Sequence, residues 1–295
     1  MRLSVVIPAL RRDAFLAECL ASVGEAPDVE TIVIEGVAPV GEARNQALAR
    51  ATGDWILFVD ADDVLAPGWL DAVKGLISRH PNADLVGFAL SKTLPLAPCE
   101  LGATRVVDVR HELPTDVFGR LLCQYAVRRE LIAGMRFSGL ARGEDRLFEG
   151  EALLRAQKVA LSDALVYGYR QHDGSAMHQP WDERNLGDEI NWRVRWLELL
   201  ARSGKSMDRR GWREMGLCFL EYIPYAMRAM TSAREKVESR WFVALGAVAE
   251  LGFAGWQRAV MRLLAKTRSP LLVKLLCQLP FEVKRRTLFL RRIGA

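Results

Sequence analysis

The sequence contains few cysteines, and none of them stand close together. Their number is odd and their positions are scattered: Cys19, Cys99, Cys123, Cys218 and Cys277. Such spacing supports neither a disulfide framework nor a cysteine-based zinc site. We therefore expect free thiols, as in proteins of a reducing cytoplasm.

Long apolar runs are also missing. The nearest, residues 241–256, includes Glu250 and several small residues, so it predicts a buried helix rather than a membrane span of about 18 or more apolar residues. The N-terminal apolar run ends at Pro8, too early for a signal peptide. We expect a cytoplasmic protein, and peripheral attachment to the inner face of the cytoplasmic membrane is an alternative that the sequence leaves open.

The composition is that of a globular protein with an uneven charge. Half of the 295 residues are hydrophobic and 26% are charged, which excludes a disordered or collagen-like chain. Residues 1–178 contain 19 basic and 24 acidic residues, whereas residues 179–295 contain 22 and 12. We therefore predict two regions with different partners, a first domain at 1–178 and a basic helical region at 179–295.

Strand and helix patterns alternate through the first ninety residues. Apolar runs at 3–7, 29–34, 55–59 and 84–90 predict strands, and the segments between them predict helices. This alternation is typical of an α/β fold with a mostly parallel sheet flanked by helices. Ligands of such sheets bind beyond the carboxyl ends of the strands, where Pro8, Glu35 and Asp60 stand.

The pattern is weaker further along the chain. Residues 91–113 predict loops, with an edge hairpin as an alternative, and residues 164–169 predict a strand. Gly143-Glu144-Asp145 opens a predicted helix, and acidic residues in a first helical turn also suit the helix dipole. Beyond Pro180 the pattern predicts helices alone.

The run Asp60-Ala61-Asp62-Asp63 is the sharpest local feature. Its three carboxylates follow an apolar strand within four positions, and they repel one another. A hard divalent cation prefers carboxylate oxygens and often shares them with substrate phosphates, so it would relieve that repulsion. A solvated acidic turn is the alternative.

A second candidate is Arg44, which stands in Gly41-Glu42-Ala43-Arg44-Asn45 near the start of a predicted helix. The planar fork of an arginine in that place can meet an anion. An ordinary surface arginine is the alternative.

Five segments, in order, resemble the family 2 glycosyltransferases of the GT-A fold. They are residues 4–9, 41–45, 51–63, 143–145 and 166–175. The resemblance covers residues 3–178 and implies a nucleotide-diphosphate-sugar donor, usually UDP-linked, together with a divalent metal, Mn²⁺ or Mg²⁺. It implies nothing for the helical remainder.

The resemblance also assigns residues to roles. It implies that Pro8, Ala9 and Glu35 line the pocket of the nucleotide base and ribose. It also implies that Arg44 lies near the nucleotide and that Asp60 faces the ribose and the sugar. It implies a metal at Asp62, with His172 as a second ligand, and a catalytic base at Asp145. The sequence departs from the family at Glu35-Gly36-Val37, where paired aspartates and Gly-Ser are usual, so the identity of the nucleotide base stays open.

The expected function is inverting glycosyl transfer in the biosynthesis of a polysaccharide. A sugar would move to a hydroxyl of a glycan or lipid-linked acceptor by metal-assisted single displacement, with Asp145 as general base. One alternative is a non-enzymatic sugar- or nucleotide-binding scaffold on the same fold. Another is a sugar-1-phosphate nucleotidyltransferase, which normally needs a glycine-rich loop that residues 8–12 lack.

The C-terminal region is strongly basic. Residues 253–295 contain ten basic residues and one acidic residue, and an apolar stripe from Trp256 through Val260 and Leu263 to Leu264 opposes a basic face. Such helices bind anionic membrane surfaces, and a lipid-linked acceptor is a related partner. A bundle over the acceptor site or a homodimer contact is the alternative. Nucleic acid is not expected, because the acidic crevice repels phosphate.

Overall fold

Strands and helices alternate from Leu3 to Ser91 in the computed structural model, as the apolar pattern predicts. The elements are β1 (Leu3–Ala9), α1 (Ala14–Val23), β2 (Val29–Glu35), α2 (Val40–Arg50), β3 (Trp55–Phe58), β4 (Val64–Leu65), α3 (Trp69–Arg79) and β5 (Leu85–Ser91). All seven residues of β1 are buried, as expected of a strand covered by helices on both faces. The Asp13 side chain accepts a hydrogen bond from Leu16 N at 3.1 Å and so caps α1.

The structure describes residues 1–172, 182–224, 234–249, 255–269 and residue 272. The chain divides into two compact units, residues 1–178 and 179–295, which we call unit 1 and unit 2. The remaining elements of unit 1 are β6 (Thr104–Asp108), β7 (Glu112–Leu113), α4 (Thr115–Phe118), a 3₁₀ turn (Leu122–Gln124), β8 (Tyr125–Arg128), α5 (Glu144–Arg155) and β9 (Lys158–Gly168).

The central sheet of unit 1 has the strand order β2-β1-β3-β8-β5-β9-β4, and β6 also pairs with β9. The pairs β1–β2, β1–β3 and β5–β9 are parallel, whereas β8 runs antiparallel between β3 and β5. Ala9 stands opposite Glu35 in the register of β1 and β2. The carboxyl ends of β1, β2 and β3 therefore meet at one edge, where the predicted donor residues lie.

The main differences from the sequence pattern concern β6 and β9; the two-residue strands β4 and β7 also lie where the pattern predicts no strand. The segment predicted as loops contains β6, which pairs antiparallel with β9 from Thr104–Ser162 to Asp108–Lys158. The strand predicted at residues 164–169 begins six residues earlier, at Lys158. The reason is the same in both cases, because β6 and the first half of β9 stabilise each other by a pairing that neither segment indicates alone.

The described elements of unit 2 are mainly helical. They are α6 (Glu183–Ser203), β10 (Ser206–Met207), α7 (Arg209–Leu217), a π-helical turn (Cys218–Tyr222), α8 (Arg234–Val248) and α9 (Gly255–Thr267). Met261 and Leu264 on α9 are buried and Val260 is half-buried, whereas Leu263 is exposed, so the predicted stripe was wrong at Leu263. The side chain of Trp256, the first residue of that stripe, lies outside the described part of the chain. The rest of the predicted basic tail, residues 273–295, lies outside the described residues.

A helix that spans a membrane needs about 20 consecutive, mostly apolar residues. Among the helices that the structure describes, none is long and apolar enough to cross a bilayer.

Candidate active site

The three aspartates that follow β3 have three different environments. Asp60 and Asp62 keep 39% and 37% of their side chains exposed, while Asp63 is buried. The Tyr167 hydroxyl donates to Asp63 Oδ2 at 2.7 Å, and Arg170 N donates to Asp63 Oδ1 at 2.7 Å. Burial, reinforced by the negative charge of Asp60, raises the pKa of Asp63 to about 8. Asp63 is therefore a structural member of the loop.

Tyr167 also orients the first aspartate of the loop. Its hydroxyl oxygen accepts a hydrogen bond from Asp60 N at 3.1 Å while its proton goes to Asp63. Tyr167 is fully buried, and burial raises the pKa of its hydroxyl well above the ordinary value. It thus stays a neutral donor, a role that the sequence did not indicate because the residue looks like an ordinary core aromatic.

Asp62 and His172 form a pair at the exposed side of the loop. His172 Nε2 lies 2.8 Å from Asp62 Oδ2, and the two side chains are 26% and 37% exposed. The His172 ring packs against Phe15, with 5.1 Å between the ring centroids. The structure therefore brings together the two residues that the family resemblance assigns to a metal.

The pair was tested against the ligand set that a divalent metal requires. Among the described residues, no group of three or more His, Cys, Asp or Glu side chains is arranged to hold a metal ion. A metal that shares substrate phosphates needs one or two side chains rather than a complete protein cage. Carboxylate oxygens are the donors that Mn²⁺ and Mg²⁺ prefer, so Asp62 fits such an ion, and His172 Nε2, 2.8 Å from Asp62 Oδ2, is near enough to be a second ligand.

Arg170 holds the chain next to His172 in place. Its Nε donates to Asp62 O at 2.8 Å, its guanidinium carbon lies 4.8 Å from the Phe15 ring centroid, and it pairs with Glu18. The segment after β9 is thus fastened to both the acidic loop and α1.

The predicted nucleotide pocket lies at the ends of β1 and β2. Pro8 and Ala9 are buried, and Ala9 O accepts a hydrogen bond from Gly36 N at 2.9 Å. Glu35 pairs with Arg12, whose Nε donates to Glu35 Oε2 at 3.2 Å. This hydrogen bond lowers the pKa of Glu35. Arg12, which no sequence motif singled out, is therefore a neighbour of the predicted nucleotide pocket.

Arg44 lies in the interior of unit 1 and not on its surface. Its side chain is 6% exposed; Nη2 donates to Asp60 Oδ1 and Nη1 donates to Glu144 Oε1, each at 2.7 Å. Burial alone would lower the pKa of Arg44, but the charges of Asp60 and Glu144 raise it overall. The guanidinium is thus a fixed positive charge between two carboxylates.

Glu144 and Asp145 begin α5 directly after Gly143, which adopts a positive φ of 76°. Glu144 is buried, and burial together with the charge of Asp145 raises its pKa to about 7 despite the Arg44 partner. Asp145 is partly exposed, and its Oδ1 accepts a hydrogen bond from Arg146 N at 2.8 Å. Of the two acids, Asp145 is the one that a substrate can reach.

The sequence-predicted residues therefore form three connected groups. In the first group, Arg44 forms ion pairs with Asp60 and Glu144, and Asp145 follows Glu144 in the chain. In the second, His172 lies next to Asp62. In the third, Ala9 stands opposite Glu35 in the register of β1 and β2. Asp60 and Asp62, two positions apart on one loop, link the first two groups.

The chain is similar to known glycosyltransferases in sequence. The family model "Glycosyl transferase family 2" matches residues 39–102, a segment that contains Arg44 and the acidic loop. The minor teichoic acid biosynthesis protein GgaB of Bacillus subtilis (strain 168) is 28% identical over 148 residues, which are 48% of this chain and 16% of that protein. The glycosyltransferase EpsJ of the same strain, described as uncharacterized, is 24% identical over 220 residues, 60% of this chain and 63% of that protein. The chain thus spans less than two thirds of the length of either relative.

Solved structures share the fold. A crystal structure of S. aureus TarS 1–349 in complex with UDP-GlcNAc matches with a TM-score of 0.67 at 17% identity, over 97% of this chain and 92% of that chain. The complex of the same protein with UDP matches with a TM-score of 0.57 at 17% identity, over 93% and 86%. The predicted family resemblance and the predicted GT-A fold are confirmed.

Proposed function

We propose that this family 2 glycosyltransferase moves a sugar from a nucleotide-diphosphate donor to a hydroxyl group of a glycan or lipid-linked acceptor, with inversion at the anomeric carbon. The observation that carries the proposal is the Arg44 bridge, which joins Asp60 of the acidic loop to Glu144, the neighbour of Asp145. The side assigned to the donor and the carboxylate assigned to the acceptor therefore lie around one guanidinium.

A UDP-linked donor and a cell-surface acceptor are favoured by the relatives. Crystal structures of TarS contain UDP-GlcNAc or UDP, and GgaB is named for teichoic acid biosynthesis. In the proposed pocket, Pro8 and Ala9 would line one wall. Glu35 would accept a hydrogen bond from a base N–H or a ribose hydroxyl, with Arg12 beside it as a donor.

Asp62 and His172 would hold the divalent metal, Mn²⁺ or Mg²⁺. When bound, such an ion supplies positive charge opposite the diphosphate leaving group. Asp60, fixed by Arg44 and by the Tyr167 hydroxyl, would face the ribose and sugar.

The chain's own contribution to the chemistry is a proton acceptor in a fixed position. The acceptor hydroxyl gives its proton to Asp145 Oδ2, because Oδ1 is used by Arg146 N. The acceptor oxygen then bonds to the anomeric carbon as the bond from that carbon to the phosphate oxygen breaks, and the electron pair leaves with the nucleotide diphosphate. Attack opposite the leaving group inverts the anomeric centre.

The first prediction separates donor binding from proton transfer. Asp145→Asn should lower the rate of UDP-GlcNAc turnover with Mn²⁺ by about 10²–10⁴-fold, the usual contribution of a general base, and leave UDP affinity unchanged. Asp62→Ala should abolish both metal-dependent UDP binding and turnover. Asp71→Asn, an exposed aspartate on α3, is the matched control and should behave as the wild type.

Three outcomes would contradict the proposal. Unchanged turnover in Asp62→Ala or Asp145→Asn would exclude the assigned roles. Calorimetry without metal-dependent heat for any nucleotide would favour a scaffold on the same fold. NMR can determine the anomeric configuration of the product before mutarotation occurs. A product with the same configuration as the donor would exclude a single displacement.

A further inference from the structure

Both ends of the Arg44 fork are already used within the protein. Each terminal nitrogen lies 2.7 Å from a carboxylate oxygen, one of Asp60 and one of Glu144, and the side chain is 6% exposed. The third nitrogen, Nε, is buried and makes no hydrogen bond among the residues that the structure describes. A phosphate bound bidentately by Arg44 would need at least one of the two terminal nitrogens. It would therefore have to share that nitrogen with a carboxylate in a region where the side chain is almost fully buried.

Two neighbours of Arg44 on α2 hold the same region of the chain. Asn45 Oδ1 accepts from Phe137 N at 2.8 Å, and Asn45 Nδ2 donates to Phe137 O at 3.1 Å. A Cβ atom at Gly41 would lie 2.7 Å from Ser138 O, which shows how close α2 comes to that backbone. One face of α2 thus contacts the segment 137–144 at three residues, Phe137, Ser138 and Glu144.

Aromatic contacts continue this connection to the acidic loop. Phe137 stacks on Phe148 of α5 with 3.9 Å between centroids and an interplanar angle of 3°. Phe58, two residues before Asp60, meets both rings edge-on at 5.4 and 5.8 Å. The end of β3 and the first turns of α5 are therefore packed as one body.

We infer that Arg44 is a positioning residue, which acts through Glu144 to hold Asp145 at the donor site and does not bind the nucleotide. Asn45 assists by fixing the backbone of Phe137. The inference rests on the proposed function, because it takes Asp145 as the base. Small displacements of a catalytic group reduce rates by about 10²-fold. Without Arg44, Asp60 keeps the hydrogen bond from its backbone N to the Tyr167 hydroxyl, so loss of Arg44 should lower turnover much more than it lowers donor affinity.

A double-mutant cycle with Arg44→Gln and Glu144→Gln tests the route through Glu144. Hydrolysis of UDP-GlcNAc with Mn²⁺ gives kcat and KM, and calorimetry gives the Kd of UDP. Arg44→Gln leaves both Asp60 and Glu144 without their cation, and Glu144→Gln leaves Arg44 paired with Asp60 alone. Each single variant thus breaks the link from Arg44 to Glu144, so we expect kcat to fall about 10–100-fold. The double variant removes both charges, and we expect its kcat to be no lower than that of the worse single variant. The Kd of UDP should change less than threefold throughout.

Two milder variants show whether a loss of turnover comes from misplacement of Asp145 or from unfolding of the protein. Arg44→Lys keeps a buried charge but cannot reach both carboxylates as a planar fork does, and Asn45→Ala leaves all of the charges in place. Both should lower kcat with KM unchanged. Arg50→Gln, exposed in the last turn of the same helix, is the matched control and should match the wild type.

Hydrogen exchange gives a readout that does not need activity. The amides of residues 144–148 should exchange faster in Arg44→Gln and Asn45→Ala, with exchange in α3 unchanged. Unaltered exchange at 144–148, a tenfold loss of UDP affinity with kcat retained, or additive effects in the cycle would each overturn the inference. Equal turnover in the wild type and Asp145→Asn would instead overturn the proposed function, whatever the exchange result.

Discussion

Glu149 brings a carboxylate into the core of unit 1. It is fully buried; Arg146 Nη1 donates to its Oε2 at 2.8 Å, and Oε1 has no hydrogen-bond partner among the residues that the structure describes. Burial raises the pKa of Glu149 to about 8, against the opposing effect of Arg146. In an unfolded chain a glutamate has a pKa of about 4.3. The folded protein therefore retains a proton that the unfolded chain has lost.

This difference predicts that stability falls as the pH rises. The contribution of Glu149 is complete below about pH 4.3 and is lost as the pH approaches 8. Between pH 6 and pH 9 the group should lower the free energy of unfolding by about 2–3 kcal/mol. Glu149→Gln, which carries no charge, should have a correspondingly smaller pH slope in urea denaturation. Glu151→Gln, partly exposed on the same helix, should keep the wild-type slope; an unchanged slope in Glu149→Gln would contradict the assignment.

The sequence predicted where the chemically important side chains lie, but it did not predict which side chains they contact. The spacing of Asp60, Asp62 and Asp63 indicated carboxylates at a strand end, and that is where they lie. Their mutual repulsion predicted a bound cation, but in the structure each aspartate also has a protein partner: Arg44, His172, and Tyr167 with Arg170 N. Arg44 and Glu144 are 100 residues apart, and no local pattern could pair them.

Helix α2 comes close to the backbone of residue 138 at Gly41. We therefore expect substitution by alanine to affect stability differently at Gly41 and at Gly75. A Cβ at Gly41 would meet the backbone oxygen of Ser138 at 2.7 Å, whereas one at Gly75 of α3 would meet the flexible tip of Leu101 at 2.9 Å. Alanine gains up to about 1 kcal/mol over glycine in a helix interior. We expect Gly75→Ala to be neutral or stabilising.

We expect Gly41→Ala to destabilise unit 1 by about 1–3 kcal/mol, because a backbone atom cannot move aside as a side-chain tip does. Urea denaturation followed by circular dichroism compares the two variants directly. Equal stability in both would show that the helix and the backbone of Ser138 separate easily.

Among the elements, those stabilised locally were predicted and those stabilised by distant pairing were not. The first ninety residues follow their apolar period because each helix packs on the strand beside it. All five residues of β6 are exposed or half-exposed, and the strand is ordered by its pairing with β9, fifty or more residues later in the chain. The antiparallel insertion of β8 between β3 and β5 was hidden for the same reason.

For the molecule as a whole, the uneven charge predicts binding to anionic surfaces through unit 2. The exposed side chains Arg262 and Lys266 lie on α9, and a basic residue near an anionic membrane contributes about 1 kcal/mol. Arg262→Gln with Lys266→Gln should weaken co-sedimentation with phosphatidylserine vesicles by about thirtyfold.

The binding should also weaken as salt is added, because surface charges are screened. Matched replacements on unit 1, Arg50→Gln with Arg136→Gln, should have little effect. Vesicle binding that is insensitive to salt and to the unit 2 replacements would favour a helical bundle at the acceptor site or a homodimer, and sedimentation velocity would distinguish these two.

The Arg44 bridge also constrains how such enzymes can recombine. Its carboxylates come from residues 60 and 144, and its guanidinium from residue 44. A chimera that exchanges the part of unit 1 containing α5, at a crossover between residues 63 and 137, would separate Asn45 from the backbone of Phe137 and Arg44 from Glu144. Grafts intended to change the acceptor should therefore transplant α2 together with α5, even though α2 lies in the half of the sequence to which the proposed function assigns the donor.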